Sequence, residues 1–247
     1  MFCLLLNIPF QEPLKLITSS PALARQFRQK HGSFVSECSI NTSTGLTIHS
    51  QSLAEVEDIL YRYRRFSSDI IALHGAAVGN RNGARLLLAP TTGGKTTLTC
   101  YLTQKGLDYI TDDCILIHKD TLQVHPYPEP LHLRKESLAV LSDHHISPEY
   151  FTQFEKLNEA TFPRYVNTPS NCAMNPIQIH SIYFLERTDS RNALQAMSTT
   201  ARVSALLQAP IIDYPINASH IQFMTHLAKY PCYKLYYSDM HYVLNIL

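Results

Sequence analysis

The sequence has no excess of either charge. Its 247 residues include 21 Lys and Arg against 20 Asp and Glu, which gives a formal net charge of +1. Proteins that bind nucleic acid or an anionic membrane usually concentrate basic residues on one face. The one basic run, at 62–65, ends a predicted helix, where cations complement the helix dipole, and we interpret it as structural. We therefore expect neither nucleic acid nor a membrane as a partner.

Paired cysteines and long apolar runs are also missing. The six cysteines form no Cys-x-x-Cys pair and no spacing typical of zinc ligands. Cys100 and Cys114 fall in a predicted helix and a predicted strand, as buried thiols commonly do. No run is long enough to span a bilayer, and the short apolar segment at 1–7 lacks a basic leader, so it predicts a strand rather than a signal peptide. A reducing, cytoplasmic location is the resulting expectation.

Internal repeats and low-complexity segments are absent as well, and the chain divides instead by its pattern of elements. Short strands and two helices over 1–66 predict a small N-terminal α/β lobe. The residues at 67–247 predict a larger α/β core, within which Ser142–Asn171 is polar and poorly periodic. Such a stretch inside a compact protein indicates a mobile or substrate-facing segment.

The clearest pattern lies at 70–118. An apolar strand over Ile70–Gly79 is followed by a turn and a second strand over Arg85–Ala89. A helix over Thr96–Lys105 comes next and ends before Gly106, where a left-handed cap is expected. A third strand over Asp108–His118 contains a run of apolar residues that implies burial.

A glycine-rich loop joins the second strand to this helix, with the sequence Ala89-Pro-Thr-Thr-Gly-Gly-Lys-Thr96. Glycines let backbone N–H groups curve around phosphates, and the helix that follows points its positive end at the anion. A lysine must reach the terminal phosphates, and a neighbouring hydroxyl helps to hold Mg²⁺. The alternative is a Gly-Gly turn before a helix with an incidental lysine, and an alanine at 89 replaces the usual first glycine. The predicted nucleotide-binding residues are Thr92, Gly93, Gly94, Lys95, Thr96 and Thr97.

Two successive carboxylates, Asp112 and Asp113, stand eighteen residues beyond the loop lysine, counted from Lys95 to Asp113. A carboxylate at a strand end beside a phosphate loop is where Mg²⁺ is held, directly or through water. Two in succession offer two roles, one toward the metal and one as acceptor of a proton from a hydroxyl. The alternative is a solvated acidic strand end. His74, alone among apolar residues, is by its chemistry more typical of a core histidine.

These residues resemble the kinase core of HPr kinase/phosphorylase and, more closely, the looser group of HPr kinase-related proteins. The resemblance rests on His74-Gly75, the loop, the glycine at 106 and the segment Tyr109-Ile-Thr-Asp-Asp113. The spacing of twenty-one residues from His74 to Lys95 also agrees. The resemblance implies an α/β P-loop kinase core over 67–247, related to phosphoenolpyruvate carboxykinase, that uses ATP and Mg²⁺.

The same resemblance implies a role for each matching residue. Lys95 would grip the phosphates, Thr96 and Asp112 would hold Mg²⁺, and Asp113 would be the general base on a serine hydroxyl. His74 would lie beside that carboxylate and tune it. The implied catalytic residues are therefore Asp113, His74 and Lys95.

Departures from the family point away from HPr as the substrate. Thr97 stands where HPr kinases have a glutamate, and their long glycine-rich signature near the carboxyl terminus is not evident. We expect phosphorylation of a serine on a ribosomally made, lasso-type precursor peptide. The alternatives are a kinase of a free small molecule, such as an amino acid, and a regulatory module that binds nucleotide without transferring phosphate. The sequence leaves open the preference between ATP and GTP, the reverse phosphorolysis reaction, and whether the chain forms a homo-oligomer.

Other cations have weaker claims on the phosphates. Arg134 and Lys135 follow a proline-rich connector, and either one is a candidate to stabilise charge on the γ-phosphate. The alternative is an ordinary charged loop or helix start. Arg164 and Arg187 are further candidates.

Overall fold

The structure is a computed structural model that describes residues 1–63, 68–153, 164–167, 169–209 and 218–247, with side chains described at all of these except 61–63 and 164. It contains both strands and helices, which confirms the predicted α/β class. The strands are β1 Phe2–Leu6, β2 Leu14–Thr18, β3 Val35–Glu37, β4 Leu46–His49, β5 Ile70–Leu73, β6 Ala76–Asn80, β7 Gly83–Leu88, β8 Asp108–Thr111, β9 Ile115–His118, β10 Gln123–His125, β11 Leu131–Arg134, β12 Thr152–Gln153, β13 Arg164–Asn167, β14 Ile177–Arg187, β15 Ala193–Ala196 and β16 Cys232–Tyr237. The helices are α1 Pro21–His31, α2 Leu53–Tyr63, α3 Lys95–Gln104, α4 Lys135–Asp143, α5 Thr199–Leu207, α6 Ala218–Leu227 and α7 Met240–Ile246.

The chain forms two compact units, and each is made of two segments. The first unit contains Met1–Ser67 and Glu129–Thr168, and the second contains Ser68–Pro128 and Pro169–Leu247. The sequence placed everything after residue 66 in one core, whereas the structure groups 129–168 with the amino-terminal segment. One reason is that His31 hydrogen-bonds Glu129, with Nδ1 3.2 Å from Oε1.

The first unit is built on a four-stranded sheet in the order β3-β1-β2-β4. Strand β1 is antiparallel to β2 and β3, and β4 is parallel to β2. Helix α1 begins at the Ser20 cap, whose side chain accepts the Leu23 N–H, and it buries Leu23, Ala24 and Phe27. A separate three-stranded sheet, β11-β13-β12, comes from the later segment of this unit.

A buried ionic cluster stabilises the first unit. His31 is 2% exposed and lies between Glu129 and Glu57, whose Oε1 is 3.5 Å from His31 Nε2. Lys30 also pairs with Glu57. Burial by itself lowers the pKa of His31, but the contacts with the two carboxylates outweigh it and raise that pKa above 6.5. Burial raises the pKa of Glu57, but His31 and Lys30 outweigh it and lower that pKa to about 2.

The second unit is built on a larger sheet in the order β5-β9-β10-β14-β7-β6-β8, and β16 pairs with β14 and β15. Strands β7, β14 and β16 are mutually parallel, and β6 is antiparallel to both β7 and β8. The hydrophobic core joins this sheet to α5 and α6 through Leu206, Phe223, Met224 and Leu227. Helix α3 contacts β6, β8 and α7.

Two strands that the sequence predicted as continuous are each divided in the second unit. The predicted strand Ile70–Gly79 is interrupted at 74–75, and Asp108–His118 is interrupted at 112–114. The halves have different partners, since β5 pairs with β9 and β6 pairs with β8, at opposite ends of the sheet. The continuous-strand prediction was wrong because both chain segments leave one part of the sheet for another at these points.

Most of the remaining predicted elements are confirmed. The helix after the glycine loop ends before Gly106, whose φ is 102°. The last third has the expected strand, two helices, strand and closing helix, with one strand that was not predicted, β15, between the first strand and the helices. Part of the predicted basic run, 64–65, and part of the polar stretch, 154–163 and 168, lie outside the described residues. Within the described ranges, no helix has the length and apolar character that crossing a membrane requires.

We predict that the contribution of this ionic cluster to stability is greatest between about pH 4.5, the ordinary pKa of Glu57, and about pH 6.5, that of His31. The raised pKa of His31 contributes stability below 6.5, which is lost as the pH rises through its folded value. The lowered pKa of Glu57 contributes stability above 4.5, which is lost as the pH falls toward 2. Thermal denaturation between pH 3 and 9 measures the loss of stability on the acid and on the alkaline side of this profile.

His31→Gln should flatten the alkaline limb of this profile. The matched control is His49→Gln, which replaces an exposed histidine of the same unit. An alkaline limb that is unchanged in His31→Gln would contradict the assignment to His31.

Candidate active site

Five chain segments of the second unit meet at one edge of its sheet. Strand β8 runs in the same direction as β7 because both are antiparallel to β6. The carboxyl ends of β7, β8, β14 and β16 therefore lie at the same edge, and the turn at 74–75 leads into β6 there. Ligands of open α/β sheets bind outside the carboxyl ends of the strands. This arrangement brings the glycine loop, the two aspartates and His74 together.

The glycine loop turns sharply between β7 and α3. Thr92 and Gly94 both have positive φ, 68° and 83°, and the Gly93 N–H donates to the Pro90 carbonyl at 3.0 Å. A Cβ at Gly93 would lie 2.7 Å from the Cβ of Ala89. The alanine that replaces the usual first glycine is therefore accommodated by the absence of a side chain at position 93.

Lys95 is the first residue of α3, and its ammonium is turned back into the loop. The residue is 5% exposed, and Nζ donates to the carbonyls of Ala89 at 2.9 Å and Pro90 at 3.3 Å. It also lies 3.3 Å from His74 Nε2. Burial lowers the pKa of Lys95, although the charges of the two aspartates, 113 and 112, act to raise it. The cation is thus hydrogen-bonded to neutral acceptors, and the two carboxylates act on it only through their charge.

His74 connects the loop to the second strand break. Its Nδ1 is 3.1 Å from the backbone carbonyl of Asp113, and its Nε2 faces the Lys95 ammonium. A carbonyl only accepts and an ammonium only donates, so Nδ1 carries the proton and Nε2 is the acceptor. The family resemblance implied a His74 beside the Asp113 carboxylate, whereas its described contact is with the Asp113 carbonyl.

Asp112 and Thr96 fit a Mg²⁺ site. The Thr96 side chain hydrogen-bonds the Asp112 carboxylate, and the other oxygen, Oδ1, is buried without a hydrogen-bond partner. Burial, followed by the charge of Asp113, raises the pKa of Asp112 to about 7. Because the Thr96 hydroxyl donates to the carboxylate, its own lone pairs stay free. Mg²⁺ prefers such a small set of oxygen ligands, completed by water and substrate phosphates.

Asp113 is exposed and has a φ of 68°, which is uncommon for a residue with a side chain. The turn around it is closed by the Thr111 hydroxyl, which donates to the Cys114 carbonyl at 2.8 Å. Strained backbone of this kind costs free energy and is concentrated at functional sites. The conformation separates the directions of Asp112, which is buried, and Asp113, which faces solvent.

Two further residues shape this edge, namely Tyr237, which was not predicted, and Gly75, which was named only as part of the His74-Gly75 match. Tyr237, at the end of β16, is 3% exposed, and its hydroxyl is 3.5 Å from the Gly93 carbonyl. A Cβ at Gly94 would lie 2.7 Å from the same hydroxyl. Gly75 is also constrained, because a Cβ there would lie 2.7 Å from Leu88 Cδ2. No spacing signal in the sequence relates Tyr237 to the loop.

The other predicted residues are placed as follows. Thr92 is exposed in the loop, and Thr97 is half-buried in the first turn of α3. Arg187 is exposed at the carboxyl end of β14. Arg134 and Lys135 are exposed where β11 meets α4 in the first unit, and the side chain of residue 164 lies outside the described part of the chain.

Comparison with known proteins leaves the family open. The sequence matches no family model and no curated protein. Among solved structures, it is similar to the HPr(Ser) kinase/phosphatase from Coxiella burnetii, with 11% identity and a TM-score of 0.33. The match covers 71% of this chain and 90% of that one. At this degree of likeness, the function has to be inferred from the residues of the chain itself.

We predict that Gly94→Ala destabilises the protein more than Gly106→Ala. Both glycines have positive φ, which costs an alanine about 1–2 kcal/mol. The added methyl meets the Tyr237 hydroxyl at position 94, whereas nothing lies within 4 Å at position 106. Urea denaturation measures the difference between the two variants.

Tyr237→Phe removes the hydroxyl and should recover part of the loss in Gly94→Ala, while leaving the loss in Gly106→Ala unchanged. Equal losses for the two glycine variants, or no recovery by Tyr237→Phe, would mean that the tyrosine does not support the loop as described.

Proposed function

We propose that this protein is a Mg²⁺-dependent kinase that transfers the terminal phosphate of ATP to a hydroxyl group. The observation that carries the proposal is the convergence of the buried Lys95 ammonium, the Thr96–Asp112 pair and the exposed Asp113 at one sheet edge. A module that only binds nucleotide needs the loop and a metal ligand. The second carboxylate, on a strained turn facing solvent, is the additional group that transfer to a hydroxyl requires.

The transfer is an in-line displacement at the γ-phosphorus. The acceptor oxygen forms a bond to phosphorus as the bond to the β,γ-bridging oxygen breaks, and ADP leaves with that electron pair. The hydroxyl proton passes to the carboxylate of Asp113. Mg²⁺ held by Thr96 and Asp112 would neutralise charge on the phosphates.

Lys95 must exchange partners when nucleotide binds. Its ammonium has three donors, and these face the carbonyls of Ala89 and Pro90 and the Nε2 of His74. A phosphate oxygen is a stronger, charge-assisted acceptor than any of these neutral groups. His74, still anchored through Nδ1 to the Asp113 carbonyl, keeps the turn that bears the general base in place.

The acceptor that we propose is a serine of a ribosomally made precursor peptide. This part of the proposal rests on the resemblance to the HPr kinase-related group, and a free amino acid is the second candidate. Labelled ATP, Mg²⁺ and a pool of candidate peptides and amino acids identify the acceptor, since the mass of the labelled product distinguishes the two. ATP bound and retained without any phosphorylated product would identify a nucleotide-binding regulatory module instead.

With the acceptor in hand, Asp113→Asn should lower kcat by about 10²–10⁴-fold, the usual contribution of a general base. Nucleotide affinity should change much less, because the exposed carboxylate faces the acceptor and not the loop backbone. Steady-state kinetics and a separate ATP-binding titration measure the two quantities.

Asp108→Asn is the matched control, since Asp108 is an exposed aspartate at the start of the same segment. Its kinetics should equal those of the unsubstituted protein. An Asp113→Asn variant with unchanged kcat would remove the general base from the proposal.

Mg²⁺ should increase the affinity for ATP in the unsubstituted protein, and Asp112→Asn should reduce this increase about 10–100-fold. This is the range seen when a metal site loses one supporting group. Calorimetric titration of ATP at several Mg²⁺ concentrations measures it, and ADP binding without metal serves as the reference. Thr96→Ser keeps the hydroxyl and should retain the dependence, whereas Thr96→Val should lose it. A Mg²⁺ dependence that survives Asp112→Asn would place the metal elsewhere.

A further inference from the structure

A second reactive cluster lies in the first unit, on the sheet formed by β1 to β4. Cys3 belongs to β1, and Cys38 directly follows β3. Their sulfur atoms are 3.0 Å apart, and the Cys38 N–H donates to the Cys3 carbonyl at 3.0 Å. Both cysteines are free thiols. The function proposed above uses neither of them.

The backbone geometry suits a covalent link between these sulfurs. The β1–β3 register, Leu4 with Glu37 and Leu5 with Ser36, continues to Cys3 opposite Cys38 as a hydrogen-bonded pair. Directly opposite residues in such a pair have Cα atoms about 5.5 Å apart. Disulfides bridge Cα atoms about 4.4–6.8 Å apart, so this link needs no displacement of the strands.

The two thiols are also within reach of a reagent. Both are half-buried, and β3 is an edge strand of its sheet. By contrast, three other cysteines are buried in the second unit, namely Cys100, Cys114 and Cys232. The sixth, Cys172, is half-buried, and its sulfur donates to the Pro169 carbonyl.

We propose that Cys3 and Cys38 form a redox-active dithiol that a low-molecular-weight disulfide, such as oxidised glutathione, converts into an intramolecular disulfide. The first sulfur attacks the glutathione disulfide and releases one glutathione thiol, leaving a mixed disulfide. The second sulfur attacks that bond and releases the other glutathione. Two protein thiols are oxidised, one glutathione disulfide is reduced to two thiols, and β3 becomes covalently tied to β1.

The pH controls how fast these steps proceed. Burial and the neighbouring Cys3 thiol raise the pKa of Cys38 to about 11, so its thiolate is scarce at neutral pH. Either sulfur can make the first attack, and the other, held 3.0 Å away, resolves the mixed disulfide through this fixed proximity. Oxidation accelerates as the pH rises because the attacking form of a cysteine is its thiolate.

The test is to equilibrate the full chain with oxidised glutathione and map its cysteines. The expected result is the loss of two of the six thiols, with a disulfide joining tryptic peptides 1–15 and 31–62. The thermal midpoint should rise, since a cross-link restricts the unfolded chain, and dithiothreitol should reverse both changes. Retention of all six thiols at equilibrium, or a stable glutathione adduct without a cross-link, would overturn the proposal.

Two variants complete the test. Cys172→Ser removes the other half-buried thiol and should leave the cross-link and the rise in midpoint intact. Cys38→Ser should abolish the cross-link and stop the reaction at a glutathione adduct on Cys3. A cross-link that depends on Cys172 would overturn the assignment, and mapping the unsubstituted chain remains decisive if Cys38→Ser does not fold.

Discussion

The candidate active site depends on the burial of one ammonium group beside two carboxylates. Taking a lysine out of water is costly unless each of its donors finds an acceptor. Lys95 meets this requirement with two loop carbonyls and His74, while Asp113 and Asp112 supply the opposing charge. The loop, the two strand breaks and the start of α3 are arranged around this single cation. Its present partners are neutral, so a phosphate is a better partner for it than any group that it now contacts.

The two strand breaks give the site its geometry. A continuous strand would direct alternate side chains to opposite faces of the sheet. The interruptions at 74–75 and 112–114 open the sheet where β5 and β9 part from β6 and β8. The hydrogen bond from His74 Nδ1 to the Asp113 carbonyl then ties one break to the other. His74 at one break and Asp113 at the other are thereby kept at fixed positions relative to Lys95.

Part of this was predictable from the sequence, and the rest depended on distant pairing. The loop, its helix and the cap at Gly106 follow from local signals, and the α/β class follows from the periodicity. The two strand breaks could not be predicted in this way, because apolar residues on both sides of His74 and of Asp113 are equally compatible with one long strand. Tyr237 is 144 residues from the Gly93 carbonyl that its hydroxyl approaches, and no local pattern reports such a contact. The segment at 129–168 joins the first unit through contacts such as His31 with Glu129, which likewise have no local signature.

The central claim is that the phosphates of a nucleotide replace the present partners of Lys95. A crystal structure with Mg²⁺ and a non-hydrolysable ATP analogue tests this directly. We expect the β- and γ-phosphates on the loop N–H groups and on Lys95 Nζ, with the contacts to the Ala89 carbonyl and His74 Nε2 broken and Mg²⁺ bound by Thr96 and Asp112. A nucleotide bound away from this edge, or a Lys95 that keeps its hydrogen bonds to the loop carbonyls, would contradict it.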